Sequence, residues 1–212
     1  MNRIRKIICI GANCIAADIT TTICIREKSP MDNVANFSIS KSYTLFNKEI
    51  MKFFFKYKYS KRKSTDLEKK DFHFDDNVYT FRNGCSIVHN DFENKKYRHS
   101  LKKRLLLFKK YYKKSQKDDS LWYIYSLDYD DEFLTDIDLI KIYKTLPECC
   151  RRRLICIGIR GRNPLFEKYF NYYLDCGKEE DYKWHDKIQA LSIIEQLELK
   201  YNLHFIIPEG IR

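Results

Sequence analysis

Three short apolar runs set the terms on which this chain can fold. They are residues 4–10, ending KIICI, residues 121–127 (LWYIYSL) and residues 153–159 (RLICIGI). A strand that is apolar on both faces belongs inside a sheet covered by helices on each side, and parallel sheets are built this way. Helical patterns fall between the runs. Tyr97, Leu101, Leu105, Phe108 and Tyr112 recur at helical spacing, which predicts a long amphipathic helix over 94–117. Residues 136–146 predict a second helix, ended by Pro147, and residues 183–200 a final one with Ile188, Leu191, Ile194 and Leu197 inward. The alternation predicts an α/β fold, a three-layer sandwich with a mostly parallel central sheet in a Rossmann-like layout. At 212 residues, a single domain over 1–212 is long enough to build its own core.

The middle of the chain reads differently. Residues 34–37 and 45–55 predict helical pieces with an aromatic stripe. Residues 56–76, the most polar stretch, predict a loop or insertion. Residues 77–81 and 85–89 predict strands around the turn Arg82–Asn83–Gly84, because Asn-Gly suits the backbone of a tight hairpin. His89–Asn90–Asp91–Phe92 follows at the second strand's end. Residues 169–176 predict a further strand or an irregular segment, and residues 205–207 a short terminal strand.

The first apolar run breaks at Gly11, and Asn13 or Cys14 stands where a helix would start. Free N–H groups and a partial positive charge at a helix N-terminus favour a thiolate. Cys14 is therefore a candidate nucleophile. The plain alternative is a buried cysteine in a chain that has eight. None forms a Cys-x-x-Cys pair and no secretory signal precedes them, so they read as reduced thiols of a cytoplasmic protein. No run approaches the ~18 apolar residues that span a bilayer. Gly11 is followed by no second glycine and no Lys-Ser or Lys-Thr, which excludes the nucleotide fingerprints. Cys149–Cys150–x5–Cys156 lacks zinc-ligand spacing. No metal or cofactor is expected.

Gly11–Ala12–Asn13–Cys14, Pro30–Met31–Asp32–Asn33 and His89–Asn90–Asp91–Phe92 fall in the order and spacing of three family motifs. On them the chain resembles a bacterial family of unknown function grouped with papain-like cysteine peptidases, whose members carry Gly-x-x-Cys, Pro-Phe-Asp-Trp and His-Asp-Phe. The second motif here lacks both aromatics, and the third carries the extra Asn90. The resemblance implies a cysteine peptidase or a related hydrolase. A strand leading directly into the nucleophile is closer to the layout of GDS-type esterases than to papain.

Such chemistry requires a nucleophile, a base, a group orienting the base, and an oxyanion site. Cys14, His89, and Asp32 or Asp91 fill the first three roles. Asp32 is preferred, because a residue two positions from His89 along a strand faces elsewhere. Backbone N–H groups after Gly11, including that of Asn13, would bind the oxyanion. The substrate would be an acyl ester, amide or peptide. His89 reads equally as a polar strand-end residue, and His185 is a second candidate base.

The formal net charge of +11 raises a different class of function. Residues 95–117 hold a dense run of lysines and arginines with no acid, and a second cluster spans 52–63. A polyanion such as nucleic acid, an anionic glycan or a protein partner would meet Lys102, Lys103, Lys109, Lys110, Lys113 and Lys114. The plain alternative is one solvated helix face.

Overall fold

The computed structural model describes residues 2–11, 14–27, 29, 34–35, 39–46, 58–72, 74–81, 86–159, 161–177 and 186–211. The chain begins β1 (Asn2–Ile4), β2 (Lys6–Cys9), α1 (Cys14–Thr22), β3 (Arg26–Glu27) and β4 (Val34–Ala35), followed by a 3-10 segment (Ile39–Phe46). Next come β5 (Tyr59–Lys63), α2 (Asp66–Phe72), β6 (Asn77–Phe81), β7 (Ser86–Ile87) and α3 (Lys95–Ser115). The remainder is β8 (Leu121–Ser126), a 3-10 turn (Tyr129–Phe133), α4 (Asp136–Thr145), α5 (Glu148–Arg151), β9 (Leu154–Gly158), α6 (Phe166–Tyr169), β10 (Tyr172–Asp175), α7 (Lys187–Tyr201) and β11 (Leu203–Phe205).

The fold is α/β around a parallel sheet. Five strands lie in the order β10-β9-β8-β2-β3, and every adjacent pair is parallel. All six residues of β8 and all five of β9 are buried. Their side chains alternate between two cores, as the two-residue period of a strand requires. Ile8, Tyr123, Tyr125, Leu154 and Cys156 join Leu101, Leu105 and Phe108 of α3 and Leu139 and Ile142 of α4 on one face. Ile7, Cys9, Trp122, Ile124, Ile155 and Ile157 meet Ile15 and Ile19 of α1 and Ile193, Ile194 and Leu197 of α7 on the other. Each Ile, Leu or Phe among these that is fully buried contributes roughly 1.5–3 kcal/mol. A two-stranded parallel sheet, β1 with β11, stands apart from these five strands.

Helix ends are secured by local chemistry. Asn94 caps α3, its Oδ1 accepting from Lys96 N at 2.8 Å. Thr135 and Asp138 form a reciprocal capping box on α4. Asp186 accepts from the N–H groups of Ile188 and Gln189 at the start of α7. Arg153, 8% exposed, donates to the carbonyls of Cys149, Asp118, Leu121 and Ser115, and so fastens the end of α3 to β8.

A second sheet, antiparallel and in the order β4-β7-β6-β5, lies in the long connection between β3 and α3. Elsewhere, residues 4–10 form two strands, not one, because the chain leaves β1 at Arg5 to enter the central sheet. Within the connection that holds the second sheet, two expectations change. Val34–Ala35 is a strand where a helical piece was expected, because Val34 pairs with Ile87. The 56–76 stretch holds β5 and α2 where a loop was expected. Tyr59–Lys63 pairs with Phe81–Asn77, and Thr65 and Glu68 cap α2 reciprocally. β7 pairs antiparallel with β6, as the hairpin signal predicts, so His89 and Asp91 follow a strand of this second sheet and not one of the parallel sheet. The predicted 45–55 helix falls on a 3-10 turn at 45–46, and its remainder lies outside the described residues.

Candidate functional site

At the C-terminal edge of β2 the strand order reverses, with β3 on one side and β8 on the other. In doubly wound sheets the connections diverge at such a point and leave a crevice, where ligands bind. Beyond β2, Ile10 N–H bonds to Ile124 O at 3.0 Å, and Ile10 O accepts from the buried Ser42 hydroxyl at 3.2 Å. The 3-10 segment 39–46 is thereby held against the strand end. Gly11 comes next. A Cβ there would lie 2.7 Å from Cε2 of Tyr125, so the backbone passes against the face of that ring. α1 then opens on Cys14. Asn13 and Asp32 lie outside the described residues, as does His185, and Cys14 is placed by its backbone alone.

Beneath Gly11 is a polar network absent from the reading of the sequence. Tyr125 donates its hydroxyl to Asp131 Oδ2, which also accepts from Asp128 N at 2.9 Å. Asn163 Nδ2 donates to the carbonyls of Asp131 and Leu134, each at 2.9 Å. Gly161 is pressed against the same turn: a Cβ there would stand 2.6 Å from the carbonyl carbon of Asp128. Asp131 is wholly buried, and desolvation pushes its carboxyl up to about 6. Burial likewise pushes the Tyr125 hydroxyl well above its ordinary value. Without access to solvent, Asp131 acts as a positioning group. It braces the turn after β8 against the Tyr125 ring on which Gly11 rests. The available sequence signal was Asp128-x-x-Asp131 directly after a buried strand, a capping pattern.

His89 is half-buried on the segment between β7 and α3, its ring edge-on to Phe74 at 5.7 Å. Asp91 is exposed. Its carboxylate accepts from the Tyr79 hydroxyl and from Glu93 N at 3.0 Å, and these bonds hold it below the usual carboxylate range. Asp91 thus shapes the entry to α3, where Asn94 N bonds to Asp91 O at 3.1 Å.

Other thiols differ in setting from one at a helix start. Burial pushes the thiols of Cys150 and Cys156 well up and that of Cys176 up to about 12, whereas Cys24 is exposed. Among the described residues no three His, Cys, Asp or Glu side chains are grouped to hold a metal ion. Again among the described residues, no helix is long and apolar enough to cross a membrane.

On α3, Lys102, Lys103, Lys110, Lys113 and Lys114 are exposed and Lys109 is half-buried. Lys114 pairs with Asp118 at 3.4 Å, and the other five make no ion pair among the described residues. Comparison with protein-family models, with curated proteins and with solved structures gave no match.

Proposed function

We propose that the chain is a thiol-dependent hydrolase in which Cys14 attacks the carbonyl of an acyl ester, amide or peptide. One observation carries this reading: Cys14 is the first residue of α1, beyond the C-terminal edge of the interior strand β2, where the strand order reverses. A nucleophile set there stands among the free N–H groups of the first helical turn, which supply an oxyanion site close to Gly11. His89 exchanges the proton and Asp32 orients the imidazole. In this reading the parallel sheet supplies the nucleophile and the antiparallel insert supplies the base. A nucleophile directly after the first central strand follows the GDS-type esterase layout and accommodates an ester as readily as an amide.

The test joins thiol labelling to turnover. Cys14 should be alkylated faster than the exposed Cys24 below pH 8. Cys14→Ala and His89→Ala should each lower hydrolysis of activated esters and peptide amides by ~10³-fold or more, with unchanged melting temperature. Hydrolysis that survives in Cys14→Ala would sink the proposal.

A second reading is favoured by the five lysines of α3 that make no ion pair among the described residues: a polyanion-binding surface, independent of Cys14. Salt-insensitive binding, or none, would remove it.

A further inference from the structure

We propose that α3 binds duplex DNA, seated in the major groove with a row of lysines toward each flanking phosphate backbone, a choice that rests on the polyanion reading above. α3 turns Leu101, Leu105, Phe108 and Ser115 into the core. At about 100° per residue, Lys102, Lys109 and Lys113 form one row on the outer side. Lys103, Lys110 and Lys114 form a second row, about 100° around the axis from the first. His99 and Leu106 occupy the crest between them, Leu106 being 54% exposed.

The dimensions agree with the partner. An α-helix with its side chains is roughly 12 Å across, and the major groove of B-DNA is about 12 Å wide. A helix lying there has a phosphate backbone on each side, so it needs two basic rows and a small crest. Of the six lysines, Lys114 pairs with Asp118, and the other five make no ion pair among the described residues. Residues 95–115 contain no acid. In the other basic cluster, by contrast, Lys61 pairs with Glu93 and Arg62 with Glu68.

Other polyanions suit the surface less well. Single strands bind by stacking bases on free aromatic rings. Here Tyr97, Tyr111 and Tyr112 pack against the core, and the Tyr111 hydroxyl is bound to Glu27 at 2.5 Å. The major groove of A-form RNA is too narrow to admit a helix. A lipid surface would meet the crest, where Leu106 is the single strongly exposed apolar side chain of α3 and offers little to insert. The crest carries no Arg, Asn or Gln to read base edges, so binding should be independent of sequence.

The test uses the full chain and a labelled duplex of about 20 base pairs, with anisotropy read across a salt series. Contact with about six phosphates predicts a slope of about −5 for log K against log salt. The variant Lys102→Gln/Lys103→Gln/Lys109→Gln/Lys110→Gln should lower affinity at least about 100-fold in 0.1 M salt and bring the slope to about −2. Each row tested alone, Lys102→Gln/Lys109→Gln or Lys103→Gln/Lys110→Gln, should account for about half of that change. Lys61→Gln/Arg62→Gln should leave binding unchanged. An equal loss in that control, or a loss confined to one row, would overturn the groove geometry. Tighter binding to a single strand or to phosphatidylserine vesicles would overturn the choice of DNA while leaving the polyanion reading intact. Binding to none of the three in 50 mM salt would remove both. The substituted side chains lie outside the core, so melting temperatures should match that of the parent.

Discussion

The two larger sheets differ in how their strands are secured. In the parallel sheet, β8 and β9 are buried along their whole length, and each face has its own apolar core. In the antiparallel sheet, the edge strand β5 is exposed at all five positions and is tied down by charge. Arg62 donates to Glu68 at 2.7 Å, Lys69 pairs with Asp76 at 2.7 Å, and Lys61 reaches Glu93. The first sheet is held chiefly by removal of apolar surface from water. The second is buried on its inner strands, where Val78, Tyr79, Phe81 and Ile87 are withdrawn from water, and it leans on exposed ion pairs only along β5, where they are individually weak and screened. The β5 edge of the insert is therefore the part that conditions can loosen most.

The sharpest test removes matched elements from each sheet. Trp122→Ala should cost about 4 kcal/mol, because Trp122 is 1% exposed at the centre of one core. Arg62→Gln in β5 should cost no more than about 1 kcal/mol. Urea titrations of both variants measure the difference, and comparable losses would end the contrast. A somewhat smaller effect is expected where the turn after β9 meets the turn after β8. Gly161→Ala forces a Cβ against the backbone of Asp128, which cannot swing aside as a side chain would, and should cost ~1–3 kcal/mol in thermal melts.

The smallest effects are in pH dependence, and the two regions should differ in sign. The carboxyl of Asp131 is raised from an ordinary 3.8 to about 6. The folded state then holds a proton that the unfolded chain has released, so this contribution falls as pH rises between about 4 and 6. Asp131→Asn should flatten that segment of the stability curve. The carboxyl of Glu68 is lowered from 4.5 to about 2, chiefly by the Arg62 guanidinium and then by the Thr65 amide. Its contribution is present above about 4.5 and is lost as pH falls toward 2, and exposure keeps it small. Glu68→Gln should abolish only that acid-side loss, and a changed slope above about pH 5.5 would contradict the assignment.

Legibility followed the same divide. The runs at 121–127 and 153–159 announced β8 and β9 because their partners are other apolar runs, and burial on both faces leaves a local signature. Asn77–Phe81 was legible as well. Val34–Ala35 was not, because what makes it a strand is Ile87, more than fifty residues away. The polar 59–72 stretch misled in a different way. Its charges mark an edge strand and a capped helix, and the Thr65-x-x-Glu68 pattern that caps α2 was available locally.

At the candidate site, the apolar run, the break at Gly11 and the helix opening on Cys14 are local events, and the sequence by itself determined them. So too were the period of α3 and the absence of acid along it. Only the tertiary structure decided that β2 lies between β3 and β8, that Gly11 rests on Tyr125, and that Asp131 is buried beneath both. It alone sent His89 to a separate sheet and gave Asp91 to Tyr79. Periodicity and capping act over one or two helical turns, whereas strand order, burial of a single carboxylate and the choice of a hydrogen-bond partner depend on segments brought together from across the chain.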